Sequence, residues 1–186
     1  EVADITTPLV HYAVAYTASG DVTIENVEVG MLTITTTDRA AAILTTVEDN
    51  QSDIVIKNVK SYASVYGHWI GAGIIGRAYV KSITLDNVVN GAEGLTTYVN
   101  TTINDDSSNF GTGGLLSDIT VTEKLDIKNS ANYATLSATK AKVGGIVSQF
   151  GGTATFENVV NYGNLTGNTG GWAFGEGGII GYIRSA

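Results

Sequence analysis

The chain has 186 residues and a net charge of −8, from 10 Lys+Arg against 18 Asp+Glu, with no cysteine and one proline. Only 15% of residues are charged, while glycine (23), threonine (24) and asparagine (14) abound, a mix that disfavours the Ala-, Leu-, Glu- and Lys-rich helices of a bundle. The counts exclude a disulfide scaffold, a Cys-ligated zinc site and a thiol nucleophile; they leave no basic footprint for nucleic acid and no apolar run near the ~18–20 residues of a membrane span.

In chain order, residues 1–20 read as an N-terminal cap or a degenerate first coil, with a faint apolar element at Ala13-Val14-Ala15. The first clear strand is Asp21-Val-Thr-Ile-Glu-Asn26. It recurs as Asp53-Ile-Val-Ile-Lys-Asn58, Ser82-Ile-Thr-Leu-Asp-Asn87, Lys124-Leu-Asp-Ile-Lys-Asn129 and Thr153-Ala-Thr-Phe-Glu-Asn158. The apolar residues alternate strictly, and period two with β-branched side chains predicts strands with one buried face. Between these copies lies a second element: Ala42-Ile43-Leu44, then Gly73-Ile-Ile-Gly76, Gly114-Leu-Leu-Ser117, Gly145-Ile-Val-Ser148 and Gly178-Ile-Ile-Gly181. A looser third element follows each asparagine, as in Tyr133-Ala-Thr-Leu136 and Tyr162-Gly-Asn-Leu165.

Three short strands per ~30-residue unit predict an all-β, right-handed parallel β-helix of about five coils, a single domain over 1–186. A propeller would need four antiparallel strands per blade with recurring hairpin turns. Stacked coils would place Asn26, Asn58, Asn87, Asn129 and Asn158 in one column, where asparagine tolerates left-handed backbone and passes amide hydrogen bonds between rungs. The residue before each asparagine gives Glu25, Lys57, Asp86, Lys128 and Glu157, a column of alternating sign. In-register stacking favours that order, because like charges on neighbouring strands repel.

Candidate chemistry is sparse. Gly71-Ala-Gly73-Ile-Ile-Gly76 fits a dinucleotide fingerprint, but no helix pattern follows and the element recurs as a solenoid strand. His11 and His68 stand far apart. Asn104-Asp105-Asp106-Ser107, in the longest unit, is a loop tip whose Asp105 and Asp106 offer oxygens for a calcium ion, the one cofactor with any support. The aromatics Tyr66 and Trp69 precede the Gly73 strand, and Trp172 and Phe174 precede the Gly178 strand. Rings so repeated either lid the core where the loops leave it or form a glycan platform, since sugar rings lay apolar faces on exposed aromatic side chains. Tyr62, Tyr133 and Tyr162, each four residues after its asparagine, predict a structural stack. Thr35-Thr36-Thr37 does not recur per coil, which speaks against an ice-binding array.

The closing unit, Asn158-Val-Val-Asn-Tyr-Gly-Asn-Leu-Thr-Gly-Asn168 followed by Gly177-Gly-Ile-Ile-Gly-Tyr182, resembles the GLUG-motif repeat of bacterial surface and adhesin-like proteins. Asn58-Val-Lys-Ser-Tyr62 and Gly145-Ile-Val-Ser148 match more loosely. The resemblance implies a right-handed β-helix, secreted and displayed at the cell surface as a piece of a longer protein, whose repeat is structural and carries no catalytic residues. The expected function is therefore a non-enzymatic, adhesin- or stalk-like module. Its partners would be host or matrix glycans or proteins and further domains of its own chain, with neither nucleic acid nor membrane insertion. The alternative is a β-helix lyase or hydrolase acting on polysaccharide, which would need Asp105, Asp106 and Asp118 to converge with Arg77 or Lys81 in an acidic groove.

Overall fold

The computed structural model describes residues 14–103, 110–167 and 175–184, and every regular element among them is a strand. The first coil runs through β1 (Ala15–Ala18), β2 (Val22–Val29), β3 (Thr33–Thr35) and β4 (Arg39–Ala41). The second is β5 (Leu44–Ser61), β6 (Ser64–Gly67) and β7 (Ile70–Ala72), and the third β8 (Ile75–Asn90), β9 (Tyr98–Thr101) and β10 (Gly111–Gly113). The fourth is β11 (Leu116–Asn132), β12 (Thr135–Ala138) and β13 (Lys142–Gly144). A fifth follows in β14 (Val147–Gly151), β15 (Ala154–Asn161), β16 (Leu165–Thr166) and β17 (Glu176–Gly177), and β18 (Ile180–Ile183) opens a sixth.

All pairings are parallel between successive coils, and three sheets result. Sheet 1 has the order β1-β5-β8-β11-β14-β18, with β2 paired to β5 and β15 to β11; sheet 2 is β16-β12-β9-β6-β3; sheet 3 is β17-β13-β10-β7-β4. The protein is a right-handed parallel β-helix of about five coils.

One detail departs from the sequence reading. The glycine-led element and the asparagine-ended element are not separate faces: in the middle three coils they form one strand of 16–18 residues. That strand bends where the register shifts, between Asp49 and Asp53 and between Val121 and Lys124. A bulge of this kind adds twist and re-aims a strand without ending its ladder, so sheet 1 has two limbs and turns a corner. The third face is instead the short sheet 3. The faint element at Ala13-Val14-Ala15 is in phase with the clear ones, since Ala15 pairs with Leu44.

Alternation decides the core. Ile54, Ile83 and Leu125 form one column and Ile56, Leu85 and Ile127 the next, all fully buried. Their end members, Val22 and Ile24 in β2 and Ala154 and Phe156 in β15, are only half-buried, as each strand pairs on one side alone among the described residues.

Candidate functional site

Each of the five asparagines that end the repeated strand has a left-handed backbone, with φ between 48° and 57°. Their amides step between coils: Asn58 Nδ2 donates to Asn26 Oδ1 at 3.0 Å, Asn87 to Asn58 at 3.0 Å, and Asn158 to Asn129 at 3.2 Å. One rung differs. Asn129 Nδ2 donates to Asp86 Oδ1 at 2.9 Å, because the carboxylate beside Asn87 is the stronger acceptor. Glu25, Lys57, Asp86, Lys128 and Glu157 lie in register on consecutive strands. Close ion pairs form between Lys57 and Glu25 (3.8 Å) and between Lys128 and Glu157 (3.5 Å), at the ends of the column.

A second asparagine ladder, which the sequence reading missed, lies three residues further on and inside the coil. Asn90 Nδ2 donates to Asn132 Oδ1 at 3.0 Å, and Asn132 Nδ2 to Asn161 Oδ1 at 2.8 Å. Asn132 and Asn161 also clasp the chain two residues ahead, at Ala134 and Gly163. Gly73, Gly114 and Gly145 of the Gly-apolar-apolar elements make room for these amides. A Cβ on Gly114 would come 2.6 Å from Asn132 Cγ, and one on Gly145 2.7 Å from Asn161 Cγ. Where the first such element has Ala42 instead, its coil has Ser61 in the asparagine position, in register with Asn90. The signal was in the sequence as a covariation: Ala with Ser, Gly with Asn.

The 42-residue unit takes its extra length at two places, residues 91–97 and 102–110. At the first, Gly91 occupies the rung where the second, fourth and fifth coils carry Tyr62, Tyr133 and Tyr162. All four donate their backbone N–H to the preceding coil in the same way. Instead of a ring, the third coil extrudes a turn, Ala92–Leu95, closed by Leu95 N–H to Ala92 O (3.1 Å) with Gly94 at φ +77°. The diversion also costs Asn90 the local clasp of its counterparts, and its buried Oδ1 has no partner among the described residues.

The missing ring leaves a cleft of about 410 Å³ bounded by Glu93, Gly94 and Leu95 on one side and by Tyr133 and Tyr162 on the other. The two tyrosines stack with ring centroids 4.7 Å apart and planes 21° from parallel. Tyr162 is 61% exposed. On the far side of the same turn, Tyr62 lines a smaller hollow of about 240 Å³ with Met31 and Thr96. Tyrosines thus line the corner between the second limb of sheet 1 and sheet 2, interrupted at the third coil by this turn.

The other expected site residues fare differently. Trp69 is partly buried against the core, edge-on to Phe110 (4.6 Å) and to His68 (5.2 Å). Tyr66 stands on the outer face of sheet 2, where burial first and neighbouring Tyr98 second raise its phenol above the usual value. Trp172 and Phe174, Asp105 and Asp106, and His11 lie outside the described residues. Among the described residues no group of three His, Asp or Glu side chains could hold a metal ion.

Asp118 is fully buried on the outer side of sheet 1. Arg184 reaches its Oδ1 at 2.6 Å, Tyr79 donates its hydroxyl to Oδ2 at 3.1 Å, and Arg77 lies 3.5 Å from Oδ2 and 3.0 Å from Glu48. Arg77 also covers the Tyr79 ring at 4.4 Å. Lys81 turns away to Asp53, at 3.1 Å, where Ser82 adds its hydroxyl at 2.7 Å. Ser82 chiefly, then Lys81, hold the Asp53 carboxyl below its ordinary value. Lys142 is only 3% exposed. It lies 4.9 Å over the Tyr182 ring, and burial first and Arg184 second lower its ammonium's pKa.

No protein-family model matches the chain, and no curated protein or solved structure matches it either.

Proposed function

We propose that this chain is a non-enzymatic binding module, a rigid β-helix of a secreted or surface-displayed protein that contacts glycans along one corner. The observation that carries the reading is the tyrosine cleft: stacked Tyr133 and Tyr162, with an exposed ring edge, facing an overhanging turn that bears the Glu93 carboxylate and the Leu95 side chain. A sugar ring needs an apolar surface for its C–H face and a few acceptors for its hydroxyls, and a cleft of this size accommodates one or two rings. The parallel ladder holds the tyrosine wall of the cleft in place before a ligand arrives, through Tyr133 N–H to Asn90 O and Tyr162 N–H to Asn132 O, which limits the ordering cost of binding. The resemblance to GLUG repeats points the same way.

Asp118 supports the non-enzymatic reading over the polysaccharide-cleaving one. A general acid or base must reach the substrate, and both oxygens of this buried carboxylate already hold Arg184, Tyr79 and Arg77. A glycan array tests the proposal. Binding by the native chain, lost in Tyr133→Ala and Tyr162→Ala variants that keep the native circular dichroism, is the expected result; binding that persists in both variants defeats it.

A further inference from the structure

The solvent-facing charges are distributed unevenly between the faces of the helix. The second limb of sheet 1 presents Glu25, Glu28, Lys57, Lys60, Asp86, Lys128 and Glu157 outward. Sheet 2 alternates as regularly, yet its outward positions carry no charge at all. They are Thr33 and Thr35 in β3, Ser64 and Tyr66 in β6, Tyr98 and Asn100 in β9, Thr135 and Ser137 in β12 and Thr166 in β16. Register aligns Thr35, Tyr66, Asn100, Ser137 and Thr166 as one column across all five coils. The face is flat, made of hydroxyls and one amide, with two rings side by side: Tyr98 is 40% exposed and lies diagonally across the rung from Tyr66. It also continues the cleft, because Thr135 follows Tyr133 by two residues and Tyr98 follows Leu95 of the inserted turn by three.

We infer that the outer face of sheet 2 is a track for a neutral, extended polysaccharide that crosses successive coils and ends in the tyrosine cleft; this rests on the glycan-binding reading above. Hydroxyl and amide side chains exchange hydrogen bonds with a polyol without stripping water from an ion, whose desolvation is costly. Tyr66 and Tyr98 supply the apolar patches. The ligand class follows from charge: a chain of net charge −8 repels sulfated or uronate polymers, and an uncharged face offers them no cation. The rings break the hydroxyl columns that a water lattice would need, which favours a polysaccharide over ice.

The test is affinity electrophoresis of the whole chain through native gels containing xyloglucan, galactomannan or mixed-linkage β-glucan, and separately alginate and heparin, with Tyr66→Ser, Tyr98→Ser and Tyr133→Ser variants checked for native unfolding midpoints. The expected result is retention by at least one neutral polymer, weakened about fivefold by each of the first two substitutions, with no retention by the anionic ones. Retention that survives Tyr66→Ser and Tyr98→Ser but is lost with Tyr133→Ser overturns the track and leaves the cleft standing. Loss of all neutral binding in the native chain overturns both. Retention by alginate or heparin as strong as by the neutral gels overturns the choice of ligand. Arrest of ice-crystal growth without any polysaccharide retention assigns the face to water instead.

Discussion

The left-handed asparagines show how one side chain solves two problems at a strand end. Each must adopt φ near +50°, which costs an L-residue with a Cβ roughly 1–2 kcal/mol, and each has a short amide that both donates and accepts between rungs. Asn58 does both, accepting from Asn87 and donating to Asn26. Replacing it by glycine keeps the backbone and removes the amide; replacing it by alanine removes both. Asn58→Ala should therefore lower the unfolding free energy by about 2 kcal/mol and Asn58→Gly by about 1 kcal/mol or less. Equal losses in urea titrations would mean that the ladder, and not the backbone, holds the position. Asp53 gives a pH signature at the same scale. Its carboxyl is held below 3.8 in the folded state by Ser82 and then Lys81, so its contribution is present above that value and fades as the pH falls through the folded pKa. The stability gap between the native chain and Asp53→Asn should narrow on acidification below about pH 4; curves that stay parallel would remove the carboxylate from the account.

At the scale of elements, each coil is keyed to the next by shape as well as by hydrogen bonds. A Cβ on Gly114 or Gly145 would meet first the carbonyl oxygen of the next coil's glycine and then the inner amide of Asn132 or Asn161, whereas a Cβ on Gly178, in the equivalent position at the outermost described rung, meets nothing within 4 Å. Gly114→Ala should thus cost about 2–3 kcal/mol through overpacking and Gly178→Ala less than about 0.5 kcal/mol, measured as shifts in the denaturant midpoint at constant slope. Similar costs for the two would mean that neither the carbonyl of the next coil nor the inner amide crowds this position. The charged column acts more weakly. Lys57→Glu would set three carboxylates on consecutive rungs between Glu25 and Asp86. The loss should be about 0.5–1 kcal/mol at low ionic strength and should shrink in 1 M salt, where screening acts within ~3 Å.

For the molecule as a whole, Asp118 is a fastening between distant parts of the chain. It gathers Arg77 from the third coil and Arg184 from beyond β18, two rungs of sheet 1 away on the other side, and Arg184 also donates to Ile119 O at 2.9 Å. Removing the carboxylate leaves two guanidinium groups facing each other over Tyr79. Asp118→Asn should cost about 3 kcal/mol, seen as a lowered unfolding midpoint, with glycan retention at native temperature unchanged. A variant that keeps its stability would show that the cluster is merely tolerated. Lost glycan binding in a folded variant would give Asp118 a role in the ligand site.

Much of this was legible in the residues themselves. Period-two alternation, the ~30-residue recurrence and a terminal asparagine together specify a solenoid, because each is a local property that repeats and so needs no knowledge of what lies across the core. The tyrosine stack was legible, and the cleft beside it was not. Trp69 meets Phe110 of the next coil only through tertiary packing, and Tyr66 shares a face with Tyr98 only because register places them there. The cleft exists because one coil substitutes Gly91 for a tyrosine and diverts its chain. A single irregular unit carries no periodic signal, so only the stacking of its neighbours reveals the gap it leaves. The linear pattern determined the repeating frame; the placement of its exceptions, and with them the site, was decided by packing in three dimensions.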